Sequence, residues 1–200
     1  MKSSKKKLIT AILALGVTIG SFAFGTVAYF TDSATSSGNN ISSATEMQVE
    51  LKDYIRPAGS PIPVPSPTEI AILPGYTVEK SLSVSNTGRM PVWVRVALAT
   101  EITLSEKEQG NENLIDYSLI SFDFNTTEWE YKDGYYYYKA RLAKGAETTP
   151  LYSAVHFSKD MGNLYKDSAI SVTAIMQVVQ ANYNGETVFD AVGWVDGGNA

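Results

Sequence analysis

The chain has 200 residues, with Lys+Arg 16 against Asp+Glu 21, one histidine and no cysteine. That length suits one domain with room for an arm, and the lack of cysteine excludes disulfides and a lipobox thiol for acylation. The first 28 residues hold four lysines and no acid, so the remainder carries 12 basic against 21 acidic side chains, a balance of −9. This sign argues against nucleic acid as a partner, because phosphate binding needs the opposite charge.

Lys2, Lys5, Lys6 and Lys7 form a positive start, and the apolar stretch from Leu8 to Phe24 comes next, the pattern of an export signal. Two small-residue sites, Ser21-Phe22-Ala23 and Thr26-Val27-Ala28, satisfy general cleavage rules equally. An uncleaved membrane anchor is the competing reading, since Leu8 to Ala28 approaches the roughly 20 residues that span a bilayer.

From Thr31 to Thr45 the chain is Ser, Thr, Asn and Gly with almost nothing to bury, so alone it is expected to be mobile. Met47, Val49 and Leu51 then alternate with Gln48, Glu50 and Lys52, and Ile55 extends the apolar face past Asp53, which predicts a half-buried strand. Between Arg56 and Pro67, prolines at alternate positions predict a stiff spacer or a cover for a sheet edge. The body begins near Thr68. Ile70 and Ile72 make a short strand before the Pro74-Gly75 turn, and Val78, Lys80, Leu82 and Val84 share a buried face. After Asn86-Thr87-Gly88, Val92, Val94, Val96 and Leu98 line one side of the next strand, with Trp93, Arg95, Ala97 and Ala99 on the other.

Residues Ser105 to Asn113 predict an exposed loop with room for one helical turn, and Tyr117 to Phe124 a strand. Lys132-Asp133-Gly134 between Trp129-Glu130-Tyr131 and Tyr135-Tyr136-Tyr137-Tyr138 is the strongest hairpin signal in the chain. A turn at Lys144 to Pro150 leads into a strand from Leu151 to Phe157, and a loop or helix around Lys159 to Tyr165 precedes a long strand, Ile170 to Gln180. In that strand Ile170, Val172, Ala174, Met176 and Val178 share one face, while Ile175 and Val179 on the other predict a strand covered on both sides. Eight or nine strands without a helical pattern beyond the signal predict an all-β sandwich, jelly-roll or immunoglobulin-like.

The junction Gly25-Thr26-Val27-Ala28-Tyr29-Phe30-Thr31-Asp32 resembles the signal of the TasA/camelysin family of Gram-positive surface proteins. Leu73-Pro74-Gly75 with Val84-Ser85-Asn86-Thr87-Gly88 is similar to the body of such proteins. The Asp133 to Tyr138 hairpin, with Leu142 and Gly145 to Leu151, and the ending from Val172-Thr173-Ala174 through Gln177 and Gln180 to Ala191-Val192-Gly193-Trp194 resemble exported proteins with this signal type. The proline spacer departs from TasA itself. The resemblance implies cutting by a dedicated signal peptidase between Ala28 and Tyr29, only transient contact with the membrane through the signal, and a jelly roll. It also implies fibres in which the N-terminal strand of one subunit completes the sheet of the next. The candidate donor is Tyr29 to Ile55, with Met47, Val49, Leu51 and Ile55 as its apolar face; an ordinary first strand of the chain's own sheet is the alternative.

The resulting division is a signal over 1–28, an arm over 29–55, the spacer over 56–67, a sandwich over 68–195 and a tail over 196–200. Camelysin relatives have been described as metalloproteases, yet the chain has no H-E-x-x-H motif and only His156 to offer a catalytic zinc, which normally takes three protein ligands. No G-x-S-x-G motif is present either. Asp116, Asp123, Asp133 and Asp160 sit near loops without EF-hand spacing and read as solvated carboxylates. No enzyme activity and no cofactor are expected. Tyr136 and Tyr138 share one face of the hairpin, and core and hairpin packing is the stronger reading, with a partner surface at Tyr136 and Tyr138 as the alternative. The expectation is a secreted structural protein of the cell surface or biofilm matrix that polymerises with itself or a related subunit. The alternatives are a camelysin-type surface metalloprotease and a monomeric adhesin or accessory protein.

Overall fold

The computed structural model describes residues 32–35, 40–42, 47–60 and 62–195. The signal, the expected cleavage bond Ala28–Tyr29 and the tail over 196–200 lie outside them. The described residues form strands joined by turns and short 3-10 segments, with no α-helix, and the strands make a two-layered all-β sandwich.

One layer is built on β8 (Val92–Thr103) and β13 (Ala169–Gln180), antiparallel over twelve residues, Val92 opposite Gln180 and Thr103 opposite Ala169. Beyond β8 come β11 (Tyr135–Tyr138) and β10 (Trp129–Lys132), joined by the expected Asp-Gly turn. Asp133 and Gly134 take φ of 51° and 85°, the doubly left-handed geometry that suits a two-residue hairpin. Beyond β13 lie two short strands end to end, β1 (Asp32–Thr35) on Ile175–Val178 and β5 (Glu69–Ala71) on Ala169–Ser171.

The second layer is built on β3 (Gln48–Ile55) and β7 (Lys80–Asn86), paired antiparallel over seven residues. β2 (Asn40–Ser42) and β4 (Val64–Pro65) flank the two ends of β3, so the proline spacer does cover a sheet edge, against Tyr54 and Ile55. On the other side of β7, the chain over 145–151 runs alongside it, with Leu151 N–H donating to Leu82 O at 2.7 Å and Thr148 N–H to Val84 O at 2.8 Å. That chain continues into β12 (Tyr152–Phe157), flanked by β6 (Thr77–Val78) and β9 (Ile120–Phe124).

The inward faces obey the expected alternation. Val49, Leu82, Val84, Val94, Val96, Met176 and Val178 are among the side chains buried between the layers. A second cluster lies on the outer face of the first layer, where Trp93, Tyr137 and Val179 are covered by Ala181, Val188 and Ala191 of the C-terminal segment. This second cover is why β13 reads as apolar on both faces.

Some boundaries differ from expectation. Tyr117–Leu119 is a 3-10 turn, with Asp116 accepting from Ser118 N–H at 2.9 Å, and the strand starts only at Ile120. The Ser105 to Asn113 loop holds the 3-10 turn Glu106–Glu108 and runs into a second, Glu112–Leu114. Within the polar arm, expected to lack structure, β1 and β2 are strands, because existing sheet edges supply backbone partners that the arm's side chains cannot. β3, read as the end of that arm, is a full member of the second layer.

Asn86, fully buried at the end of β7, ties three segments. Its Nδ2 donates to Met90 O at 2.8 Å and Leu142 O at 3.0 Å, and its Oδ1 accepts from Gly88 N–H at 3.0 Å. Buried backbone groups stripped of partners cost roughly 1–3 kcal/mol each. Asn86→Ala is therefore expected to lower unfolding free energy by about 3 kcal/mol in urea titrations, whereas exposed Thr87→Ala stays within about 0.5 kcal/mol of wild type.

Candidate functional site

The feature best placed to meet another chain is the edge of the first layer. β13 shares one side with β8 along its whole length, while its other side is taken up at the two ends by β1 and β5, both short and both supplied by segments that precede β6. β1 pairs Asp32 with Val178, Ser33 with Gln177, Ala34 with Met176 and Thr35 with Ile175. It lies a few residues past Tyr29.

The apolar residues expected to mark a donor strand sit elsewhere. Met47, Val49 and Leu51 are buried in the chain's own core, and Ile55 packs half-buried against it. Removing β3 from β7 would strip seven residue pairs and uncover these side chains, whereas removing β1 strips four.

The aromatic hairpin divides by face. Tyr138 is buried against Trp129, ring centroids 5.1 Å apart, and Tyr136 is half-buried between Phe124 at 4.6 Å and Tyr131 at 4.8 Å. Both belong to the main core or pack on it, so the face named as the alternative partner surface is turned inward, and Tyr131 is the exposed ring beside it. Burial also raises the Tyr136 hydroxyl pKa, with a smaller push from Tyr131.

Tyr135 and Tyr137 face the other way and, with Trp194, enclose Arg95. The guanidinium carbon is 3.8 Å from the Tyr135 ring centroid and 4.8 Å from that of Trp194. Arg95 Nε donates to Gln177 Oε1 at 2.8 Å, and its two terminal nitrogens donate to the Tyr137 hydroxyl at 2.9 Å and to Val195 O at 2.8 Å. Gln177 and Tyr137 are its direct cross-strand neighbours on β13 and β11. The segment over 181–195 is pinned further by Trp93 Nε1 donating to Asn184 O at 2.8 Å, and by Asn184, whose Nδ2 donates to Gln180 O and Val192 O. Gly185 at φ +80° allows a tight return, since an added Cβ would lie 2.8 Å from the Asp190 carbonyl carbon. Sequence reading places Arg95 on the outer side of its strand without revealing this role. Its one signal is a lone arginine between Trp93 and Ala97 in a run otherwise apolar from Val92 to Ala99.

Two polar links hold the second layer. On its outer face Glu147 accepts from Lys52 Nζ at 2.7 Å and Ser83 Oγ at 2.6 Å, bridging β3 to the chain beyond β7. Partial burial pushes the Glu147 pKa up, but these two hydrogen bonds and the Lys52 charge outweigh it and hold it below the usual value. On the inner face Lys80, almost fully buried, donates to Asp53 and to Ser66 Oγ at 2.7 Å. Here burial dominates both partners: it raises Asp53 against the attraction of Lys80 and lowers Lys80 against the attraction of Asp53.

His156 is half-buried on β12, with Nδ1 hydrogen-bonded to Thr77 Oγ1 at 2.9 Å. Of the carboxylates expected near loops, Asp123 lies on β9 and accepts from Ser153 Oγ at 2.9 Å, Asp160 accepts from Ser158 Oγ at 3.4 Å, and Asp133 sits in the hairpin turn. Among the described residues no three His, Cys, Asp or Glu side chains are gathered where they could hold a metal ion, so this donor set does not fit a catalytic zinc.

Arg95→Ala leaves Gln177, Tyr137 and Val195 O without their cationic partner and opens space under Trp194. It is expected to lower unfolding free energy by about 3 kcal/mol. Arg95→Lys, which cannot span the three acceptors or stack between the rings, recovers less than half of that loss in the same denaturant titration.

A search of curated proteins and a search of solved structures each found no match. The family model described as camelysin metallo-endopeptidase matches residues 3–150, close to three quarters of the chain, and takes in the signal-like start, both layers' first strands and the aromatic hairpin. The chain belongs to the TasA/camelysin family.

Proposed function

We propose that this protein is an exported structural subunit of the cell surface or biofilm matrix, freed by cleavage between Ala28 and Tyr29, that assembles into fibres by passing its N-terminal segment to the next copy. The observation that carries this reading is β1: a four-residue strand on the edge of β13, close behind the expected new N-terminus and attached through backbone pairing. The same pairing made by a neighbour's β1 is β-strand addition, and a head-to-tail contact that does not close propagates as a filament. The donated piece is the arm up to Ser42, while β3 stays home. The membrane-held signal withholds this arm until it is cut. Family membership supports the surface location.

The register supplies a direct test, because the chain has no cysteine of its own. With Ala34→Cys and Met176→Cys, which face each other across the β1–β13 pair, oxidised filaments of the mature protein are expected to run as a ladder of covalent multimers on non-reducing gels. A product confined to the monomer band means the arm folds back, and the proposal fails. Deleting residues 29–45 stops short of Met47 and the core strand β3; the truncated chain should keep cooperative unfolding and form no filaments in electron micrographs.

The family description favours a second reading, a surface endopeptidase dependent on a metal. Its test is separate: purified mature protein should release no acid-soluble fragments from casein with added zinc, and chelator-sensitive release would overturn the structural assignment in favour of the enzyme.

A further inference from the structure

The pair Lys80 and Asp53 is unlike the other ion pairs of the described residues. Lys52–Glu147 and Arg56–Glu79 sit on the surface, with side chains 26% to 60% exposed, whereas the Lys80 side chain is 1% exposed and that of Asp53 12%. Both project from the inward faces of neighbouring antiparallel strands: Leu51, Asp53 and Ile55 on β3 share their side with Lys80, Leu82 and Val84 on β7. Lys80 Nζ is in direct contact with Asp53 Oδ1, and Ser66 Oγ takes a second hydrogen bond from it. Tyr152, 1% exposed, adds a buried hydroxyl without a hydrogen-bond partner among the described residues.

We infer that Lys80 and Asp53 are a modification site at which the two side chains condense to an amide, joining β3 to β7 covalently. A buried ammonium and carboxylate lose their hydration. Transfer of one proton from Nζ to the carboxylate turns the ion pair into a neutral amine beside a neutral acid, the forms that react. The Nζ lone pair attacks Cγ of Asp53, a proton passes from nitrogen to the departing hydroxyl, the C–O bond breaks and one water leaves as the C–N bond forms. No oxidant, reductant or further reactant is needed. Burial acts in the required direction on both partners, raising the acid and lowering the amine. The Tyr152 hydroxyl is kept protonated by its burial and, to a smaller extent, by the Asp53 charge. It is a buried, unpaired donor near enough to feel the Asp53 charge, placed to turn toward the oxygen that gains charge as nitrogen adds. The product exchanges two desolvated charges for a neutral amide, in a chain with no cysteine to make any other cross-link.

Mass spectrometry of the purified mature protein reads the bond directly. The intact chain should be lighter than its sequence by one water. After trypsin, which cuts behind Lys52 and Arg89 but not at Arg56 before Pro57, the digest should contain one uncut peptide, Asp53 to Arg89, also short by one water. Asp53→Ala should restore the full sequence mass and cleavage after Lys80. Full mass in the wild-type chain, with separate peptides Asp53 to Lys80 and Ser81 to Arg89, overturns the inference. This readout needs neither filaments nor a stable variant, so it stands or falls apart from the assembly proposal.

Discussion

The twelve-residue ladder between β8 and β13 is the constraint on which the rest of the structure depends. Both strands are long enough to carry an inner face for the sandwich core and an outer face for a second cluster. A sheet buried on both sides needs something to lie on its outer face, and the segment over 181–195 does so, held by the Arg95 cage and by Asn184. The outer face is therefore closed to partners where these residues cover it. The edge of β13 stays within reach of a neighbouring chain, and its backbone groups must be paired by someone. In the single chain β1 and β5 do this over four and three residue pairs.

Most of the sandwich was legible in residue periodicity, because apolar residues recur at every second position on β3, β7, β8 and β13 even where the outer cluster buries the other face too. The Asp-Gly hairpin and the Pro-Gly turn were legible for a different reason: each places a glycine at positive φ, Gly134 at 85° and Gly75 at 78°. The strands β1 and β2 were not legible. Their side chains have no apolar period, and a strand made by backbone pairing to an existing edge leaves no mark in composition. The 3-10 turn at Tyr117 was hidden likewise, because local capping by Asp116 decides it while the aromatic content suggests a strand.

The candidate site was only half legible. Lys80 and Asp53 already stood on apolar faces in the alternation, a conflict between pattern and charge that marks either a solvated strand end or a built polar site. Only the fold shows that the two residues meet, that Ser66 of the spacer caps them, and that Tyr152 on β12 adds a buried hydroxyl whose pKa feels the Asp53 charge. The tyrosine run was legible as core and hairpin packing on one face, but not as the Arg95 cage on the other. Of its four consecutive aromatic residues, two pack toward the main core and the other two close over Arg95.

The division between β1 and β3 rests on what each would lose on leaving. Freeing β3 exposes Met47, Val49 and Leu51, and fully burying such a side chain is worth roughly 1.5–3 kcal/mol, so its release costs several times that before any backbone pairing is counted. It also breaks up Lys80, Asp53 and the Glu147 bridge. Freeing β1, and β2 with it, costs four and three residue pairs of backbone that water re-solvates, at a net of about 1 kcal/mol per hydrogen bond. A neighbour that supplies the same strands restores all of that pairing, and the one new cost is the lost freedom of association. In the proposed assembly, exchange at β1 therefore replaces like pairing with like, and protein concentration and a free N-terminus would set how far it goes. Exchange at β3 would unfold the subunit that gives it. The proposed fibre therefore divides the N-terminal region between Ser42 and Met47, with β1 and β2 as the donated strands and β3 kept in its own core.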